Sequence, residues 1–104
     1  MKTVTISGVD YPLRASMLAF QQWEEATGLQ MAGLNENTSP IQMCQLAFFF
    51  AKAGLKREGK QIEVDLEAFM DSIELDEIEA VAAAVAAAMA GSAQKKRQPV
   101  RKGR

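Results

Sequence analysis

Histidine is missing from this 104-residue sequence, and cysteine occurs once, as Cys44. Without histidine the chain lacks the side chain most often used as a general base near neutral pH. Ser-His-Asp and Cys-His mechanisms and every His-containing metal site are excluded with it. A single cysteine forms no internal disulfide and no multi-cysteine metal site, so nothing calls for an oxidising compartment. Long apolar runs are also lacking. The longest, Ala80–Ala90, has eleven residues and is mostly alanine, whereas a membrane span needs about 20. Met1 is followed by Lys-Thr and alternating residues, not by the apolar core of a signal peptide. These absences predict a soluble, intracellular, non-enzymatic protein with no cofactor, no metal and no membrane segment.

What is present is an ordinary globular balance, 48% apolar and 24% charged residues, enough for one small domain. The net charge of −1 hides a division. Residues 1–94 carry six basic groups (Lys2, Arg14, Lys52, Lys56, Arg57, Lys60) against all thirteen acids, hence −7. Residues 95–104 carry the other six basic groups and no acid, hence +6.

The N-terminus reads as strands. Val4 and Ile6 alternate with threonine, Ser7-Gly8-Val9-Asp10 is a turn signal, and Tyr11 and Leu13 resume the alternation. A hairpin over 2–14 is predicted, with Pro12 at an edge or facing outward because it has no N–H to give. Two strands alone are marginal in water, so one face must pack on the rest of the chain.

Beyond the hairpin the pattern turns helical. Ser16 caps a helix over 17–27, with Phe20, Trp23, Ala26 and Thr27 on one face and Gly28 as the stop. A polar loop over 29–39 leads to Ser39-Pro40, a serine cap followed by proline at the first helical position. The helix over 40–53 places Met43, Leu46, Ala47, Phe50 and Ala53 on one stripe, and Gly54 is expected to close it. Asp65 caps a helix over 66–73 with Leu66, Phe69, Met70 and Ile73 inward. A last helix over 76–90 has Ile78, Val81, Ala82, Val85 and Met89 on its apolar face and Asp76, Glu77 and Glu79 in its first turn, where the helix dipole favours them. Gly91 should end it. Residues 92–104, with Val100 as their one aliphatic residue, should form a disordered basic tail. The fold class is therefore α+β, mostly α-helical: a short N-terminal β-hairpin, about four helices and a disordered basic C-terminal tail, with 1–91 as the single folded domain.

Candidate chemistry is sparse. Eight acids lie between Glu63 and Glu79 with no basic residue from Gln61 to Gln94. The calcium-loop spacing is not met, since Asp71-Ser72-Ile73-Glu74 offers neither alternating oxygens nor the glycine. Solvated helix faces explain the acids, and an acidic surface for a basic partner stays open. Glu24 and Glu25 diverge by about 100° on a helix, so they form no acid/base pair; they read as solvent-facing, available to a partner beside Trp23. Cys44, with no positive neighbour to lower its pKa, reads as buried filler. Phe48-Phe49-Phe50 point in three directions. Either the helix is central and wrapped on all sides, or one of the three faces a partner chain or a second copy. The basic tail suggests nucleic-acid binding but has no aromatic to stack on bases, and the acidic body would repel phosphates.

The order of elements adds a resemblance. A hairpin of the form T-V-x-I-x-G-x-x-Y-x-L-R precedes a helix bearing F-x-x-W-E-E-x-T-G. A polar loop, an apolar helix with A-G-L-K and a stretch D-L-E-A-F-M-D come next. In these features, over Val4–Arg14, Phe20–Gly28, Ala47–Lys56 and Ile62–Ile73, the sequence resembles the tail assembly chaperones of long-tailed bacteriophages and related gene-transfer-agent proteins. The resemblance implies a non-catalytic assembly factor that binds the tape measure protein and helps recruit tail tube protein. It implies work in the host bacterial cytoplasm, absence from the mature virion, and possible self-association. Trp23, Glu24, Glu25, Phe48, Phe49 and Phe50 are the candidate partner-binding residues. Many such proteins are made in two forms by ribosomal frameshift, and Gln94-Lys95-Lys96 is where adenine-rich codons would permit one. The alternative, from another class, is a small nucleic-acid-binding regulatory protein using the basic C-terminal tail.

Overall fold

In a computed structural model, the structure describes residues 2–30, 33 and 38–102, with side chains described as far as Ala90. Strands β1 (Lys2–Ile6) and β2 (Val9–Leu13) form an antiparallel hairpin in which Ile6 pairs with Val9 and Lys2 with Leu13. The two-residue turn puts Ser7 at φ 49° and Gly8 at φ 82°. Positive φ at both positions is the type I′ geometry, whose twist matches that of the flanking strands. Alternation sorts the faces: Val4, Ile6 and Leu13 are buried, while Thr3, Thr5 and Val9 are exposed.

Helix α1 (Met17–Thr27) begins at Ser16, whose hydroxyl accepts from Ala19 N–H, and stops at Gly28 with φ 75°. Trp23 is buried on its inner face, but Ala26 is exposed, one step outside the face assigned to it by spacing. Thr27 turns its hydroxyl back to the Trp23 carbonyl at 2.7 Å. Within the loop predicted over 29–39, residues 31, 32 and 34–37 lie outside the described residues.

Helix α2 (Pro40–Arg57) starts as expected, with the Ser39 hydroxyl accepting from Gln42 N–H. It runs past Gly54, correcting the predicted end at 53. Its stop is Gly59, at φ 79°. There Gly59 N–H donates to Lys56 C=O and Lys60 N–H to Leu55 C=O, the paired bonds of a Schellman motif. Gly54 has another reason to be glycine. A Cβ there would stand 2.1 Å from the Pro12 carbonyl oxygen. Pro12 is buried in the same contact, not turned outward. Arg14 N–H then donates to Phe50 C=O at 3.0 Å, tying the end of β2 to the helix.

Helix α3 (Leu66–Ser72) is capped by Asp65. A 3₁₀ turn over Leu75–Glu77 leads into α4 (Ile78–Lys102). This overturns the boundary predicted at Gly91: the backbone continues as helix to Lys102. An internal glycine costs a helix only about 1 kcal/mol. The residues after it, Ser-Ala-Gln-Lys-Lys-Arg-Gln, include good helix formers, whereas Pro99, further on, removes one hydrogen bond from the helix. The side chains of the basic tail, and residues 103–104, lie outside the described residues.

Helix α2 is the hub. It packs against β2, α1, α3 and α4, while β1 lies on α4. The core gathers Ile6, Leu13, Trp23, Leu46, Phe50, Phe69, Val81 and Val85, all essentially without exposure. Edge-to-face rings link the layers: Phe20 on Phe50 at 5.3 Å, Tyr11 on Phe69 at 5.3 Å and Phe48 on Phe69 at 5.4 Å.

Candidate functional site

The fold divides the sequence-predicted site residues into two groups. Trp23, Phe48, Phe49 and Phe50 are all core, at 1%, 6%, 6% and 0% exposure. The reading in which one phenylalanine of the run faces a partner is therefore corrected. Consecutive residues on α2 do point three ways, but the hairpin, α1, α3 and α4 surround that helix and bury each of them. Phe48 and Phe49 meet each other at 5.0 Å, nearly perpendicular. Trp23 leaves its indole N–H without an acceptor. Glu24 and Glu25 belong to the other group. On the same helix as buried Trp23, Glu24 is half-buried and Glu25 exposed, and Gln21 reaches Glu25 at 3.4 Å. Gln94, Lys95 and Lys96 are in α4, with side chains outside the described residues.

Cys44 is buried, and burial pushes its thiol pKa up. A neutral, enclosed thiol has the wrong character for a nucleophile. Among the described residues, no three His, Cys, Asp or Glu side chains come together to hold a metal ion, and no helix is long and apolar enough to cross a membrane.

What the surface offers is a mixture of acids and isolated large apolar side chains. Met17, Leu18, Ile41, Val9 and Leu75 are exposed, Leu75 by 87%. Sequence reasoning passed over them because each lies next to the end of an element, where periodicity is short. Leu75 stands between Glu74 and Asp76 in a segment fixed from both sides. The Glu77 carboxylate accepts from Ser7 N–H at 3.0 Å and, through its other oxygen, from Glu74 N–H at 3.0 Å. Ser7 donates its hydroxyl to the Ser72 carbonyl at 2.5 Å. These bonds clasp the hairpin turn to the entrance of α4. The two backbone donors, Glu74 first and Ser7 second, lower the Glu77 pKa. Elsewhere, Lys60 pairs with Glu58 at 3.8 Å in the open. Among the described residues, no basic side chain pairs with an acid of the 63–79 stretch. Among the described residues, the surface is acidic and studded with exposed apolar side chains around a buried core.

No family model, no curated protein and no solved structure matches the chain.

Proposed function

We propose that this protein is a non-catalytic tail assembly chaperone of a long-tailed bacteriophage, one that binds the tape measure protein and helps recruit tail tube subunits in the host cytoplasm. The observation that carries the reading is the segment Phe20–Gly28, FQQWEEATG, placed directly after a Y-x-L-R hairpin. The fold supports it by giving that segment a division of labour. Trp23 anchors α1 in the core, and Glu25 faces solvent beside the half-buried Glu24. Exposed Met17 and Leu18 share the helix. Isolated apolar side chains among acids can cover apolar stretches of a client while net negative charge keeps the complex dispersed.

The test is co-expression with the product of the large coiled-coil-rich reading frame expected beside this gene. The client should become soluble and co-purify with the chaperone. E24K/E25K should weaken capture while the buried Trp23 keeps its native fluorescence. A gene neighbourhood without such a frame, or a client that stays insoluble, would overturn the proposal. Retention on nucleic acid in place of the client would favour the regulator that uses the basic tail. The frameshift implied by the resemblance is read from codons: CAA-AAA at Gln94-Lys95 permits the slip, and CAG or AAG there excludes it.

A further inference from the structure

The hairpin has two outer edges, and the fold treats them differently. Across its two-residue turn, Ile6 and Val9 exchange hydrogen bonds, and the pattern then alternates along the ladder. Thr5 with Asp10 and Thr3 with Pro12 are the non-bonded pairs, so the backbone groups of these four residues point outward. On β2 the outward edge is closed. The Pro12 carbonyl lies against Gly54, Pro12 has no N–H to offer, and Arg14 N–H donates to Phe50 C=O. On β1 it is open. Among the described residues, nothing bonds the backbone N–H or C=O of Thr3 or Thr5 from that side. Both residues are exposed, and β1 packs on β2 and α4. The strand has no proline and its register runs unbroken by a bulge, so the usual guards of an exposed edge are missing. Lys2, its one charge, stands at the end of the strand and leaves Thr3 and Thr5 accessible.

We propose that a second copy of the chain pairs with this edge, β1 on β1, antiparallel, about a two-fold axis at Val4. The outward groups set the register. Thr3 of each copy stands opposite Thr5 of the other and exchanges hydrogen bonds with it, about four bonds over the two pairs. Val4 then faces Val4, and Lys2 faces Ile6. The two sides are identical, as an isologous interface requires, and two marginal hairpins become one four-stranded sheet. Charge selects the same partner. Among the described residues, Lys2 pairs with no acid of its own chain. Opposite Ile6 of the other copy, it comes one residue from Ser7, whose N–H donates to the Glu77 carboxylate at 3.0 Å. An unrelated strand would satisfy the backbone but need not bring an acid to Lys2. The pairing rests on the hairpin, so it stands whatever the client is.

Sedimentation of the full-length protein over a dilution series tests this. So small a contact implies a Kd of about 1 μM to 1 mM, with dimer at the upper end and monomer at the lower. T3P keeps the hairpin's own ladder, as Pro12 does on β2, and removes an outward N–H. It should weaken pairing about tenfold or more, with circular dichroism and Trp23 fluorescence unchanged. Amide exchange reads the native chain directly. Thr3 and Thr5 N–H should be protected in the dimer and exchange freely on dilution, while Val4 N–H, bonded inside the hairpin, stays protected throughout. Cross-linking reads the register: T3C mixed with T5C should form a disulfide-linked pair faster than either alone. A chain still monomeric at about 1 mM would overturn the proposal. So would a dimer whose Thr3 and Thr5 amides exchange freely, or a folded T3P that pairs as well as the native chain. Protection of the edge only when the tape measure client is added would overturn it too, and would give the edge to a client strand.

Discussion

At the scale of single residues, the tightest constraint is Gly54. Alanine in place of glycine normally favours a helix by about 1 kcal/mol. Here the added Cβ would press on backbone, the Pro12 carbonyl at 2.1 Å, and backbone cannot rotate away as a side chain can. G54A should therefore destabilise the domain by about 1–3 kcal/mol, the usual cost of overpacking, as read by urea denaturation. A gain in stability would show that β2 and α2 can separate freely. Phe50 makes the complementary case. It is fully buried and holds Phe20 edge-on, so F50A should cost about 3–5 kcal/mol. Against a typical total of about 5–15 kcal/mol, that leaves little native protein at 37 °C. These two residues also mark what the sequence discloses. A phenylalanine on an apolar stripe announces its burial. A glycine needed for a close approach looks the same as a glycine that ends a helix, and only the partner strand tells them apart.

Elements were legible where a local signal ends them. Ser16, Ser39 and Asp65 cap their helices as their positions imply, and Ser7-Gly8 makes the turn of the hairpin. The Phe48–Phe50 run was ambiguous because burial on three sides depends on what surrounds α2, a property of no single element. The clasp between Ser7 and Glu77 was invisible for the same reason, joining residues seventy positions apart. It has a pH signature. Backbone donors hold the folded Glu77 carboxyl below its ordinary value of 4.5. Its contribution to stability is thus fully present above the unfolded pKa and is lost as pH falls through the lower, folded value. E77Q should flatten the stability profile on the acid side of 4.5 and leave the neutral part of the curve parallel to that of the native chain. Thermal melts taken from pH 6 downward check this; an unchanged acid slope in E77Q would mean that the carboxylate contacts are not held in solution.

The whole molecule is organised by charge: a body of −7 joined to a C-terminal segment of +6 through one helix. Removing the basic segment tests whether it takes part in folding. Among the described side chains, the last packed against the core are Ala88 and Met89. A chain ending at Gln94 therefore keeps every described core contact and should melt, when dilute, close to the full-length protein. If the shortened chain instead melts far lower even when dilute, residues 95–104 support the fold itself, and core and tail are not separable.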